Sequence, residues 1–288
     1  MKSAIFVAAL LIVAPVVAQA APVNVVAAEN FYGDLVTQIG GVHVAVTSIL
    51  SNPDDDPHLF EASPSTARAL VAAKLVVYNG VDYDPWMEKL LTANKTEGRT
   101  ILVVGDLVQR KSGDNPHLWY NPTTMPTVAQ ALTDALVKID PANKADYEHG
   151  RDAFVASWQP FQQKVAALHQ KFAGTIVTAT EPVAGYLCEA LGLTSRNQEF
   201  QLAVENDSEP TPKQVADFEN DLKNHTVKVL FYNNQATDDL AKRMQDVAHA
   251  NKVPVVGVSE TEPPKVTYQK WMSGELDALE KALAGGAS

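Results

Sequence analysis

Cysteine is almost missing from this chain. Its 288 residues contain one cysteine, Cys188, so no intramolecular disulfide can form. Basic residues are scarce as well: 23 Lys and Arg stand against 34 Asp and Glu, a formal charge of −11. That balance excludes the basic footprint that nucleic-acid binding needs. It keeps an exported protein soluble and suits a cationic ligand. There is no H-E-x-x-H metalloprotease motif. Long apolar runs are absent except at the start. Residues 4–17 are apolar, follow Lys2, and end at Ala18-Gln19-Ala20. A positive start, a short apolar run and a small-x-small end make a secretory signal peptide over residues 1–20. The run is too short for a good membrane span. Cleavage there predicts a soluble periplasmic protein starting near Ala21. No cysteine follows that point, so no lipid anchor is expected there.

What remains alternates between β-branched runs and helical patterns. Strands are expected at residues 23–28, 44–50, 74–79 and 100–104, with helices at 30–39, 63–73 and 122–139. Ser63 followed by Pro64 is a helix-start pair. Residues 140–172 read as one helical stretch stopped by Gly174. It is long for a globular helix, and Pro160 should kink or split it. The alternation then restarts. Strands are expected at 175–180, 200–204, 227–232 and 253–258, with helices at 182–191, 211–223, 238–250 and 268–283. Strands interleaved with helices mean parallel α/β sheets. The expected organisation is an N-terminal lobe over residues 21–140, a connecting helix over 141–173 and a C-terminal lobe over 174–288. Each lobe would hold a roughly four-stranded parallel sheet with flanking helices, and a cleft would lie between them. No strong sequence repeat relates the halves.

Ligands of open α/β sheets bind beyond the carboxyl ends of the strands. Four loops there carry polar chemistry beside proline: Asp54-Asp55-Asp56-Pro57-His58, Asn115-Pro116-His117-Leu118-Trp119, Glu181-Pro182, and Ser259-Glu260-Thr261-Glu262-Pro263. Two imidazoles and two carboxylates are a reasonable donor set for a divalent transition metal. Taken singly, each has an ordinary explanation. A loop histidine is often only solvated, Glu181 could serve the helix dipole, and Glu260 and Glu262 could be loop charges. The Asp54-Asp55-Asp56 run reads as solvated. Cys188 reads as core, and His43, His149, His169, His225 and His249 as surface or core histidines.

These loops resemble those of the metal-specific substrate-binding proteins of ABC importers, which carry zinc, manganese or iron(II). Pro57-His58 with Ser63-Pro64 is similar to the family's first-ligand loop. Asn115-Pro116-His117-Leu118-Trp119 with Asn121-Pro122 is similar to its second, and Glu209-Pro210-Thr211 to the step opening a helix of the C-terminal lobe. The resemblance covers the whole chain after residue 20. It implies a metal held between two lobes bridged by a long helix, with His58, His117, Glu181 and Glu260 as ligands and Glu262 as the fallback for the fourth. Zinc-type members usually have histidine where Glu181 stands, and the fourth ligand is normally aspartate. The histidine-rich loop of zinc-type members is missing. Two nitrogens and two carboxylates suit manganese(II) or iron(II), although zinc binds most such sites more tightly.

The resemblance implies a protein without catalytic residues. It would capture a divalent metal cargo (zinc or manganese, or iron(II)) and dock as a monomer on a membrane permease. A binding protein for a small organic solute and a secreted metallohydrolase are the alternatives the residues leave open.

Overall fold

The computed structural model describes residues 21–53, 57, 60–206, 208–235 and 239–285. The first half runs β1 (Val23–Glu29), α1 (Asn30–Gly40), β2 (Val44–Leu50), α2 (Pro64–Ala72), β3 (Leu75–Tyr78), α3 (Pro85–Ala93), β4 (Thr100–Val103), α4 (Val104–Leu107) and α5 (Thr124–Ile139). α6 (Lys144–Phe172) follows. The second half runs β5 (Ile176–Ala179), α7 (Gly185–Ala190), β6 (Thr194–Arg196), α8 (Gln198–Glu205), α9 (Pro212–Lys223), β7 (Leu230–Asn233), α10 (Asp239–Ala250), β8 (Val255–Val258) and α11 (Tyr268–Leu283).

Each half builds a four-stranded sheet whose described pairings are all parallel, ordered β2-β1-β3-β4 and β6-β5-β7-β8. The two orders are the same, so the halves share a topology that their sequences do not advertise. β1 is buried at all but one position, as expected of a parallel strand covered on both faces. In each sheet the chain leaves the first strand to one side and returns on the other. That places a crevice between β1 and β3, and another between β5 and β7. The registers pair Ala27 with Val77 and Ala179 with Phe231. Continued by two residues, they set Glu29 beside Asn79 and Glu181 beside Asn233. The same glutamate–asparagine pair therefore stands at both crevices.

The helix starts are built as their residues dictate. Ser63 accepts a hydrogen bond from Thr66 N at 3.3 Å with Pro64 in the first turn, and Thr211 does the same for Gln214 N with Pro212. Three hydrophobic clusters result. One lies on the outer face of the first sheet (Val26, Leu70, Val76, Met87). Another lies outside the second (Phe200, Phe218, Leu230, Met244). The largest is shared by both halves and joins Leu35, Trp119 and Trp158 to Val258, Tyr268 and Trp271.

Two expectations are corrected. Residues 200–204 form helix α8, not a strand, and the fourth strand of the second sheet is β6. The alternating Phe200, Leu202 and Val204 suggested period two, but Phe200 and Gln201 are buried while Leu202 is 51% exposed. The second correction is that Pro160 does not split α6, which runs unbroken for 29 residues. Pro160 and Ala156 both face solvent, so the Ala156 carbonyl left without its helical donor can bond to water. α3 and α4 were not anticipated.

Candidate metal centre

Residues 1–20, the Asp54-Asp55-Asp56 run and His58 lie outside the described residues. The other three expected site residues come together at the carboxyl ends of the strands. His117 is wholly buried beyond β4, Glu181 is buried just after β5, and Glu260 is buried just after β8.

His117 is held by its own loop. Asn115 Oδ1 accepts from the His117 backbone N–H at 3.0 Å and lies 2.8 Å from His117 Nδ1. Asn115 Nδ2 donates to the Pro182 carbonyl at 2.8 Å, which fixes which end of the amide is oxygen. A carbonyl oxygen only accepts, so Nδ1 must carry the proton. Nε2 then carries the ring's lone pair, and it points into acid. Glu260 Oε2 lies 3.4 Å away and Glu205 Oε2 lies 3.9 Å away. A lone pair aimed at buried carboxylates is electrostatically favourable only with a cation, proton or metal, among them. The rings of Tyr83 and Trp119 stand edge-on to the imidazole, with centroids 6.0 and 5.3 Å from it.

Asn233, the last residue of β7, joins the two expected carboxylates. Its amide N–H groups donate to Glu181 Oε2 and to Glu260 Oε1, the latter at 2.7 Å. Gln235 N–H donates to Asn233 Oδ1 at 3.1 Å and so orients the amide, while the Gln235 side chain accepts from Glu260 N–H at 2.5 Å. Burial pushes the Glu181 carboxyl up to about 7. The Asn233 hydrogen bond pulls it down, Glu260 and Glu205 push it up, and His117 pulls it down. Burial also holds the Tyr83 phenol well above its usual range, and the nearby Glu260 carboxylate adds to this. Among the described residues, no group of three or more His, Cys, Asp or Glu side chains is arranged to hold a metal ion. Asn233 occupies one oxygen of each carboxylate instead.

Glu262 has separate partners. Its backbone N–H donates to Asn30 Oδ1 at 3.0 Å and its carbonyl accepts from Asn30 Nδ2 at 2.7 Å, which ties its backbone to the start of α1. Burial, with Asp34 adding, pushes its carboxyl up to about 9. The other histidines stand away from this cluster: His43 bonds Asp146 at 2.8 Å, His169 bonds the Ala190 carbonyl at 3.0 Å, and His149, His225 and His249 are exposed. Cys188 is buried in the core, which pushes its thiol up to about 12.

Sequence reasoning missed Asn233, Tyr83 and Glu205. It also missed a second acidic pair, Glu29 and Asp84, at the crevice of the first sheet. Asp84 accepts from Asn79 N–H at 2.7 Å and from Gly80 N–H at 2.8 Å. Burial lifts Asp84 to about 6; burial and then Asp84 raise Glu29 further. One signal could have found Asn233. A Tyr-Asn step, Tyr78-Asn79 and Tyr232-Asn233, ends the same strand in both halves.

Comparison with known proteins agrees with this architecture. Residues 25–282 match the family described as the zinc-uptake complex component A, periplasmic (ZnuA), and the chain belongs to that family. The manganese ABC transporter substrate-binding lipoprotein scaA of Streptococcus gordonii is 24% identical over 285 residues, covering 91% of this chain and 89% of the relative. The iron ABC transporter substrate-binding lipoprotein MtsA of Streptococcus pyogenes is 23% identical over 282 residues, with 91% and 89% covered. The structure of the periplasmic zinc-binding protein TroA from Treponema pallidum superposes with a TM-score of 0.77 at 19% identity, covering 92% of this chain and 99% of TroA.

Proposed function

We propose that this family member captures a divalent transition metal in the periplasm and hands it to the membrane permease of an ABC importer, without catalysing a reaction. The carrying observation is His117 Nε2, turned by Asn115 toward the Glu260 carboxylate at 3.4 Å. His117, Glu181 and Glu260 are the proposed ligands, and His58 is the proposed fourth. Glu262 stays the fallback for Glu260; its backbone is bonded to Asn30 and its carboxyl is influenced by Asp34. Metal entry would release Asn233 from the two carboxylates and replace the shared amide protons by the cation. The cargo class is zinc, manganese or iron(II), the metals in the relatives' descriptions. Residues 1–20 support export as a soluble protein, whereas the two named relatives are lipoproteins. The reading divides the chain into lobes 21–140 and 174–288 around the connecting segment 141–173. It takes the protein as a monomer with no nucleic-acid partner.

The test is calorimetric titration of chelator-treated protein with Mn2+, Zn2+ and Fe2+. One-to-one binding in the wild type, lost in His117→Ala and Glu260→Ala, is the expected result. Binding indifferent to both substitutions, or none in the wild type, overturns the reading.

A further inference from the structure

Glu205 is the carboxylate that the four-ligand set does not use. It is the last residue of α8, its side chain is 8% exposed, and its Oε2 lies 3.9 Å from His117 Nε2. Two features make that position favourable for a cation. A carboxylate at a helix C-terminus meets the negative end of the helix dipole. It also stands among other buried acids, since the charge of Glu205 is felt at Glu181 and at Tyr83. The placement is built from below. Asn197 precedes α8 with a left-handed φ of 59° and donates from Nδ2 to Thr178 Oγ1 and to Asp221 Oδ2, both at 3.1 Å. Gln201 Nε2 donates to the Arg196 carbonyl at 2.7 Å, and Phe200 packs on Phe218 with centroids 4.6 Å apart. These bonds tie α8 to the β5–β6 edge and to α9, so its C-terminal end is directed at the cleft.

We propose that Glu205 is an additional metal-facing carboxylate that tilts the site toward oxygen-preferring ions of higher coordination number, manganese(II) or iron(II), over zinc(II); this rests on the metal-capture reading above. The reasoning is one of charge and geometry. Glu181 and Glu260 together already neutralise a divalent ion. A third carboxylate beside the same imidazole adds an oxygen donor that a tetrahedral zinc sphere, complete with four ligands, cannot use. A six-coordinate ion with a preference for carboxylate can use it.

The experiment measures Mn2+ and Zn2+ affinities by competition against a chromophoric chelator for wild type, Glu205→Gln, Glu205→Asp and His117→Ala. Thermal melts of the metal-free forms check folding. Glu205→Gln keeps the shape and removes the charge. It is expected to weaken Mn2+ about tenfold or more and Zn2+ by less than about threefold, lowering the Mn/Zn affinity ratio. Glu205→Asp keeps the charge and should hold the ratio nearer the wild type. An unchanged ratio in Glu205→Gln overturns the proposal, whether both metals weaken alike or neither does. The His117→Ala arm separates the two readings. If it loses metal while Glu205→Gln leaves the ratio alone, only the role of Glu205 falls. If His117→Ala binds like the wild type, the capture site itself falls.

Discussion

Asn115 does two jobs with one amide. Its oxygen accepts the hydrogen bond of the His117 ring N–H and its nitrogen donates across the cleft to the Pro182 carbonyl, one residue from Glu181. Tyr186 hydroxyl donates to the Asn115 carbonyl at 2.9 Å and closes the same bridge. A ligand whose tautomer and direction are fixed this way binds metal more tightly than one free to rotate. Asn115→Ala should therefore lower metal affinity by about 10- to 100-fold while the protein still folds, as read by titration and circular dichroism. Unchanged affinity would show that the loop backbone alone orients the ring. This scale also marks the limit of the sequence. Proline beside His117, Glu181 and Glu260–Glu262 made those residues visible, because a stiff turn at a strand end is a local pattern. Asn115 could be read only as part of a motif. Asn233 and Glu205 acquire their roles from strands and helices distant in sequence; the repeated Tyr-Asn step is the one local sign of Asn233, and no local pattern marks Glu205.

Among the elements, α6 carries a proline that its sequence suggests should kink or split it. An interior proline normally costs a helix about 3 kcal/mol by removing one hydrogen bond and crowding the preceding turn. α6 tolerates it through tertiary packing. Tyr147, Phe154, Trp158, Phe161, Val165 and Leu168 are buried along one face, against α1, α5 and α11. Trp158 Nε1 donates to the Pro122 carbonyl at 2.8 Å, which anchors the turn just before the proline. Pro160→Ala is expected to stabilise the protein by about 1–3 kcal/mol, seen as a higher midpoint in urea with an unchanged slope. A lower midpoint would mean that the packing uses a bend the proline creates. The same competition explains the misread segment at 200–204. Its alternation is real in sequence, but Phe200 needs the Phe218 ring on α9, and only a helix delivers it there while leaving Leu202 in solvent. β6, three residues long with no hydrophobic alternation, was not anticipated; the seven remaining strands and most helices were legible because their hydrophobic period and their tertiary burial agree.

The molecule as a whole is arranged to resist large lobe motion and to carry buried acid. The central hydrophobic cluster belongs to both halves. α11 of the second half is hydrogen bonded to the first: Tyr268 N–H donates to Asp34 at 3.0 Å, and Tyr268 hydroxyl donates to the Trp119 carbonyl at 2.5 Å. Opening the lobes like a hinge would break that core, so a small tilt or loop change is the motion consistent with it. Inside this rigid frame, burial raises several carboxyls at once: Asp84 to about 6, Glu181 to about 7, Glu275 to about 8 and Glu262 to about 9. The sign follows from linkage. Each group keeps its proton in the folded state at a pH where the unfolded chain, with ordinary carboxyls near 4, has lost it. The folded state binds more protons, so these groups make stability fall as pH rises from about 5 to about 9. Asp140 and Glu219 are shifted downward by their hydrogen-bond partners and act oppositely, but their effect is confined to acid. The metal-free protein should therefore melt highest near about pH 5 and progressively lower toward about pH 9. Glu275, bonded by Trp271 Nε1 at 2.7 Å, offers a control outside the proposed ligand set. Glu275→Gln keeps that acceptor and cannot ionise, so its melting temperature should decline less steeply than the wild type's between about pH 5 and pH 8. Saturating metal should flatten the curve near neutrality as well. Under the proposed ligation it would replace the proton at Glu181, and a hundredfold excess over the dissociation constant would add about 2.7 kcal/mol at any pH where the imidazoles are neutral. Melting curves of chelator-treated and metal-loaded protein across this range test the whole scheme. A metal-free melting temperature that climbs from pH 5 to 8 would show that the cluster is ionised and already compensated by fixed positive charge.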